Sequence, residues 1–273
     1  MTDEQRQNRP IGIFDSGVGG LTVAAEVMRL LPGENIVYFG DVGRYPYGGR
    51  SREIITGFTR QNINFLLDHN VKYVIAACNS ASAVALEAVS EEYDIDILGV
   101  IEPGAKAAIS YSKNKRVGII GTRATIDSDS YAKAIQRRNE NIKVFSLACP
   151  LFVPLVEEAY IEKEATYLIA RDYLKTLIDV DIDTLVLGCT HYPLLKKVIG
   201  TVMGDGVRLV DSAEETAREV ASVLSVRNLL RTATDDVTLK FYVSDVPDRF
   251  SQVVKHFVGR NINNVTRVDI TRY

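Results

Sequence analysis

Short apolar runs rich in Ile and Val alternate along this chain with longer amphipathic stretches. The runs fall at residues 11–14, 36–39, 71–77, 95–101, 117–120, 143–147, 184–187 and 207–210. Continuous apolar strands that alternate with helices are typical of parallel sheets covered by helices on both faces. The pattern therefore predicts an α/β protein.

The second half of the chain repeats the order of segments in the first half. The string Ile-Gly-Ile-Phe at 11–14 matches Val-Gly-Ile-Ile at 117–120. With one small insertion, the segment from Leu-Leu-Asp to Ala-Cys at 66–78 matches that from Leu-Ile-Asp to Gly-Cys at 177–189. A single match between α/β strands means little, but several matches in the same order predict two halves of like topology.

This repeat predicts two pseudo-symmetric domains, each a mostly parallel sheet flanked by helices. Residues 1–99 and 213–273 would form the first domain, and residues 100–212 would form the second. The tail is expected to supply a helix over 214–230, a strand over 238–243, and a final helix and strand. Because ligands of open α/β sheets bind beyond the carboxyl ends of the strands, we expect the active site in the cleft between the domains.

Charge and composition exclude several classes of function. The formal net charge is −3, and no run of Lys or Arg is long enough to follow a phosphate backbone, so nucleic acid is not expected as a partner. The polar N-terminus lacks the apolar core of a secretory signal, and no stretch approaches the roughly 18 apolar residues of a membrane span. We expect a cytoplasmic protein that does not bind membranes, with its 3 cysteines present as reduced thiols.

Polar or glycine-rich clusters lie where predicted strands end. They are Asp15, Ser16 and the glycines of 17–20 after the first strand, residues 45–49 after the second, Cys78, Asn79 and Ser80 after the third, and Cys189, Thr190 and His191 after its counterpart. Binding and catalytic residues are concentrated on such loops. Since Cys78 and Cys189 are equivalent in the repeat, we expect them to face each other across one active site.

The two thiols in this arrangement predict a particular chemistry. A thiol that ends a strand and begins a helix meets unpaired amides and the positive end of the helix dipole, which lower its pKa toward neutrality. Neighbouring groups on Asn79, Ser80 and Thr190 would hold the carboxylate of a small anionic substrate. Moving a proton from one face of a carbon to the other requires two acid/base groups. Cys149 has no counterpart and is interpreted as structural or as lining the cleft.

Four strings of the sequence resemble the glutamate racemase family, a group of cofactor-independent amino-acid racemases. They are Phe-Asp-Ser-Gly-Val-Gly-Gly-Leu at 14–21, Tyr-Pro-Tyr-Gly at 45–48, Ala-Cys-Asn-Ser at 77–80 and Gly-Cys-Thr-His-Tyr-Pro at 188–193. The resemblance implies interconversion of L- and D-glutamate without pyridoxal phosphate or metal, supplying D-glutamate for bacterial peptidoglycan. Aspartate and hydantoin racemases share the paired cysteines. Ser80 replaces the Thr common in the family but keeps the hydroxyl.

By this resemblance, Cys78 and Cys189 are catalytic, each handling the proton on one face of the α-carbon. Substrate binding is assigned to Asp15, Ser16, Tyr47, Gly48, Asn79, Ser80, Thr190 and His191. Asp15 and His191 are expected to tune the first and second thiol respectively, and Glu157 is a further candidate near the second. The expected partner is a small-molecule substrate, glutamate, with no metal and no cofactor. A homodimer is left open.

Several of these residues also have structural interpretations. Asp15 could cap the helix expected to follow it, and His191 could be a satisfied histidine in the first turn of a helix. Its spacing from Cys189 argues against a Cys–His pair on a regular element, because residues two apart do not face each other. Thr122 and Thr125 either line the cleft or cap a helix, and no role is assigned to the two other histidines, at 69 and 256.

Three other functions are weaker alternatives. A phosphate-binding enzyme would suit the glycines at 17–20, but their spacing matches neither a dinucleotide-binding nor a Walker motif. A thiol redox or metal-binding protein would need a C-x-x-C pair or a fourth ligand, and neither is visible. A two-lobed binding module would need no thiols and would normally carry a signal peptide.

Overall fold

Two parallel β-sheets form the framework of the protein. The computed structural model describes residues 2–246, 254, 257, 258 and 265–273. The strands are β1 (Ile11–Asp15), β2 (Ile36–Gly40), β3 (Tyr73–Ala76), β4 (Ile97–Gly99), β5 (Arg116–Gly121), β6 (Lys143–Ala148), β7 (Thr184–Gly188), β8 (Arg208–Asp211), β9 (Leu239–Val243) and β10 (Val265–Arg267).

Helices connect these strands and cover the sheets. They are α1 (Asp3–Gln7), α2 (Leu21–Leu30), α3 (Arg52–Asp68), α4 (Asn79–Val84), α5 (Leu86–Val89), α6 (Ile101–Tyr111), α7 (Arg123–Asp127), α8 (Ser130–Arg138), α9 (Phe152–Glu157), α10 (Glu164–Asp179), α11 (Lys196–Met203) and α12 (Ser212–Val226). Single 3₁₀ turns lie at Tyr47–Gly49, Ser90–Glu92, Tyr192–Leu195 and Ile270–Arg272. Within the described chain, no helix is both long enough and apolar enough to cross a membrane.

The four-stranded sheet has the same strand order as four neighbouring strands of the six-stranded sheet. The six-stranded sheet runs β10-β9-β2-β1-β3-β4 and the four-stranded sheet runs β6-β5-β7-β8, so β1 corresponds to β5 and β3 to β7. The paired strands are parallel throughout. The predicted α/β class and the two halves of like topology are confirmed. The domain boundaries near residues 99 and 212 stay a prediction.

The inner strands are buried on both faces. Along β1, Ile11 and Ile13 belong to the core on one face, whereas Phe14 belongs to the core on the other. Successive side chains of a strand point to opposite faces, so a strand covered on both sides needs apolar residues at every position. Each buried aliphatic or aromatic side chain contributes about 1.5–3 kcal/mol, which holds the loops at the strand ends in place.

Several elements differ at their ends from the sequence prediction. The fourth strand is shorter than the predicted 95–101, because Ile101 already begins α6. The helix α12 begins at Ser212 rather than 214, where the Asp211 side chain accepts a hydrogen bond from the Ala213 N–H at 2.8 Å. The predicted final helix falls largely outside the described residues, as does His256.

Candidate active site

A cavity of about 430 Å³ lies between the two halves, among loops that follow the carboxyl ends of strands in both sheets. The predicted site residues that line it are Ser16, Tyr47, Gly48, Cys78, Asn79, Ser80, Cys189, Thr190 and His191. Both thiols therefore border one cavity. Asp15 lies behind the lining, where it is fully buried.

Cys78 lies two residues after the end of β3 and immediately precedes α4. Its Sγ lies 3.4 Å from the Ser16 hydroxyl oxygen. Burial and the nearby Asp15 carboxylate raise the pKa of the thiol to about 12, although the contact with Ser16 lowers it. The expectation that the helix start brings this thiol toward neutrality was wrong, because the removal of water outweighs the dipole of one short helix.

Asp15 ends β1 and does not cap the helix that follows. The helix α2 begins at Leu21, and Gly20 precedes it without a side-chain hydrogen bond. One Asp15 carboxylate oxygen, Oδ2, instead accepts the Gly17 N–H at 2.9 Å. Burial raises the pKa of Asp15, while the charge of His191 and the adjacent backbone N–H groups lower it. Asp15 is therefore a buried carboxyl group near Cys78.

Cys189 has a different set of neighbours. Its Sγ lies 3.9 Å from His191 Nδ1, and His191 Nε2 lies 3.2 Å from Glu157 Oε1. Burial disfavours the charged imidazole, but the contacts with Cys189 and Glu157 outweigh it and raise the pKa of His191 to about 10. Cys189 and His191 can face each other although they are two residues apart, because they lie in the turn after β7 rather than on a regular element.

Hydrogen bonds join the two halves beside the cavity. The Ser80 and Thr122 hydroxyl oxygens are 3.0 Å apart, and the Tyr131 hydroxyl donates to Asn79 Oδ1 at 2.8 Å. Asn79 Nδ2 is buried and has no hydrogen-bond partner within the described part of the chain. Thr122 also caps α7, because its side chain accepts a hydrogen bond from the Thr125 N–H at 3.3 Å. Thr122 therefore both lines the cavity and caps a helix. Thr125 does not line the cavity.

The loop after β2 is tied to the first half by Tyr47 and approaches the second half at Gly48. The Tyr47 hydroxyl donates to Asp41 and accepts a hydrogen bond from Asn62 Nδ2 at 3.0 Å. Tyr47 lines the cavity, but its hydroxyl is already paired inside the first half. A Cβ atom on Gly48 would lie 2.9 Å from Thr122 Cβ, so the loop approaches the second half too closely for a side chain there.

The structure adds lining residues that the sequence did not single out. They are Arg123, Pro150, Val153 and Pro154, whereas Tyr45, Pro46 and Gly49 of the lining come from the predicted cluster at 45–49. Tyr45 lies with its ring centroid 6.2 Å from that of His191. Arg123 follows Thr122 after β5, the strand equivalent to β1, so the repeat itself carried a signal for it. Cys149 belongs to the core and does not line the cavity.

The described residues contain no group of three or more His, Cys, Asp or Glu side chains arranged to hold a metal ion. The chemistry that this arrangement can perform is proton transfer between two thiols and a bound ligand, with hydroxyl, amide and imidazole groups to hold that ligand.

Comparisons with known proteins match nearly the whole chain. The sequence model of the Asp/Glu/Hydantoin racemase family matches residues 37–220. A glutamate racemase of Geobacter metallireducens is 50% identical over 262 residues, covering 96% of this chain and 97% of the relative. A glutamate racemase of Neisseria meningitidis is 47% identical over 265 residues, covering 97% of this chain and 98% of the relative.

Solved structures agree with the sequence matches. The glutamate racemase of Francisella tularensis in complex with D-glutamate has a TM-score of 0.92 and 39% identity, covering 98% of this chain and all of that one. The glutamate racemase of Thermus thermophilus in complex with beta-chloro-D-alanine has a TM-score of 0.88 and 41% identity, covering 98% of this chain and 99% of that one. The chain is therefore an isomerase of the racemase class and belongs to the Asp/Glu/hydantoin racemase family.

Proposed function

We propose that the protein interconverts L-glutamate and D-glutamate through two proton transfers at the α-carbon, one at Cys78 and the other at Cys189. The observation that carries this proposal is that both thiols line one cavity and follow the equivalent strands β3 and β7. The substrate is supported by relatives named glutamate racemase and by the Francisella tularensis complex with D-glutamate.

The proposed reaction begins with one cysteine as thiolate and the other as thiol. The thiolate takes the α-proton from one face of the substrate, and the electron pair of the broken C–H bond remains on the α-carbon. The thiol then donates its proton to the opposite face, so that the configuration is inverted and the two cysteines exchange protonation states. Because the α-proton is very weakly acidic, the cavity must stabilise the developing charge with fixed donors and exclude water.

We assign substrate binding to groups from both halves. Asn79 Nδ2 is a buried donor without a partner among the described residues, which suits a carboxylate of the substrate. The hydroxyls of Ser16, Ser80 and Thr190 border the same space. His191 supplies a cation, while Asp15 acts from behind Cys78. Since the Tyr47 hydroxyl is paired with Asp41, we propose that the substrate contacts the ring of Tyr47 and the backbone of Gly48.

The biological setting is proposed from the family. We propose that the D-glutamate formed supplies bacterial peptidoglycan, that the enzyme works in the cytoplasm, and that its reaction uses neither a metal nor an organic cofactor. A homodimer stays a prediction, and so does the division into residues 1–99 with 213–273 and residues 100–212.

Incubation in deuterated water tests the proposed reaction. With L-glutamate, we expect deuterium at the α-carbon by NMR and accumulation of D-glutamate by chiral chromatography, until the two isomers are equal. L-Aspartate in a parallel incubation tests substrate choice. The proposal fails if glutamate neither takes up α-deuterium nor yields its D-isomer, and faster turnover of aspartate would reassign the substrate.

A further inference from the structure

Tyr131 lies on α8 in the second half, and its side chain reaches the first half beside Cys78. Its hydroxyl donates a 2.8 Å hydrogen bond to Oδ1 of Asn79, the residue after that cysteine. Tyr131 is 2% exposed and Asn79 is 3% exposed. Water therefore has little access to replace this hydrogen bond if it is lost.

The Tyr131 ring lies in a slot made by two glycines. A Cβ atom on Gly104 of α6 would lie 3.0 Å from Tyr131 Cε1, and a Cβ atom on Gly188 of β7 would lie 3.1 Å from Tyr131 Cε2. A side chain on either glycine would thus crowd an edge of the ring next to the hydroxyl. Gly188 immediately precedes Cys189, so Tyr131 lies beside the sequence neighbour of one thiol and is hydrogen-bonded to that of the other.

We propose that Tyr131 is a positioning residue that sets the orientation of the Asn79 side-chain amide. An asparagine amide presents an acceptor on one side and a donor on the other. Because Tyr131 donates to Oδ1, the group left for a ligand is Nδ2, which has no partner in the described part of the protein. The inference deepens the proposed function, since it explains how Asn79 comes to offer a donor to a substrate carboxylate.

Loss of the Tyr131 hydroxyl would leave Oδ1 of Asn79 buried without a donor. A half-turn of the amide group exchanges its oxygen and nitrogen with almost no change of shape. The amide would then turn its carbonyl oxygen toward the cavity, where it opposes a carboxylate. Substrate binding is weakened in this way, while Cys78 and Cys189 keep their places.

Kinetics of Tyr131→Phe test this role. We expect KM for both glutamate isomers to rise about 10-fold, the loss of one buried hydrogen bond, with kcat changed by less than about threefold. In an Asn79→Ala background, the same substitution should leave KM unchanged, because the amide that Tyr131 orients is absent. A wild-type KM in Tyr131→Phe, or an equal rise in both backgrounds, would overturn the proposal.

Tyr111→Phe is the matched control. It removes a tyrosine hydroxyl of the same half that donates to Glu215 at 3.3 Å and does not line the cavity. We expect its KM to match that of the wild-type protein. Melting temperatures of both variants show whether they are folded under the assay conditions.

A neutron structure of the wild-type protein tests the amide orientation without any turnover. Deuterons on Asn79 Nδ2 should point away from Tyr131, and the Tyr131 deuteron should point to Oδ1. The opposite orientation overturns the proposal even if the kinetics are as expected. A wild-type protein that does not racemise glutamate in deuterated water instead removes the proposed function, while the neutron structure still decides the role of Tyr131.

Discussion

The loops that carry Cys78 and Cys189 follow equivalent strands, yet their surroundings differ. Cys78 lies 3.4 Å from the Ser16 hydroxyl and in front of the buried Asp15, and its pKa is raised to about 12. Cys189 lies 3.9 Å from the imidazole of His191, whose other nitrogen contacts Glu157. One thiol is thus next to a hydroxyl and a buried carboxyl, and the other is next to a cation.

This difference shows that a repeated fold supplies the positions of the two thiols but not their chemical surroundings. The equal strand order brings the two thiols to one cavity, but it does not make them chemically alike. A nearby cation stabilises a thiolate, whereas burial beside a carboxylate opposes it. We therefore expect the two proton transfers to have unequal barriers and to respond differently to substitution.

The largest expected effect comes from removing either thiol. Cys78→Ser and Cys189→Ser should each lower kcat for racemisation by about 10²–10⁴-fold, because each variant lacks one of the two acid/base groups. Racemisation is measured by circular dichroism of glutamate. Cys149→Ala serves as the control, since Cys149 lies in the core outside the cavity lining. Full activity in either serine variant would end the two-base assignment.

Gly19→Ala probes the contact between the first loop and the loop of Cys189. The added Cβ would lie 2.2 Å from Thr190 Oγ1 and 2.5 Å from His191 Nδ1, so one loop must move. A displacement of this size is expected to lower kcat/KM by about 10²-fold. Gly33→Ala is the matched control, because a Cβ there meets no atom within 4 Å. Equal kinetics in the two variants would show that the close contact is unimportant.

Glu157→Gln tests the cation beside Cys189 through pH. His191 has its pKa raised to about 10, so its charged form is fully favoured below its ordinary range near pH 6.5, and both charge and stabilisation are lost as pH rises through about 10. Removing the Glu157 charge should move the alkaline decline of kcat/KM to lower pH and reduce activity about 10-fold. The exposed neighbour Glu158, changed to Gln, should keep the wild-type profile. If kcat/KM of Glu157→Gln declines at the same alkaline pH as that of the wild-type protein, His191 is not the group whose titration causes the decline.

Asp15→Asn has the smallest expected effect and tests the surroundings of Cys78. The Asp15 charge contributes to the raised pKa of Cys78, so its removal should lower that pKa and speed alkylation of Cys78 by iodoacetamide several-fold. Site-resolved mass spectrometry follows the reaction at each cysteine. The rate at Cys149 is the internal reference, and the idea is refuted if both rates change together.

Local patterns predicted much of the fold and many of the site positions. The apolar runs located the core of every strand from β1 to β8. In β1, β2, β3 and β7 the signal is continuous, because strands buried on both faces need apolar residues throughout. Strand ends were less predictable. Asp211 caps α12 through its own side chain, so the helix begins two residues before the predicted start. The same strand-end argument located Ser16, Asn79 and Thr190, which do line the cavity.

Contacts between distant residues could not be predicted in this way. The capping interpretation of Asp15 failed because the chain makes a further turn before α2 begins. The pairing of the Tyr47 hydroxyl with Asp41 and the contact of Tyr131 with Asn79 depend on how separate elements pack. No spacing in the sequence records such contacts.

By itself, the sequence determined an α/β chain of two related halves and placed one cysteine after each of two equivalent strands. These properties follow from the periodicity and order of short segments, which act locally. The tertiary structure alone decided that Cys78 is deeply buried and that Cys189 lies beside a charged histidine. Burial and electrostatic contact depend on distance in space, and residues such as Glu157 and His191 become neighbours only when the chain is folded.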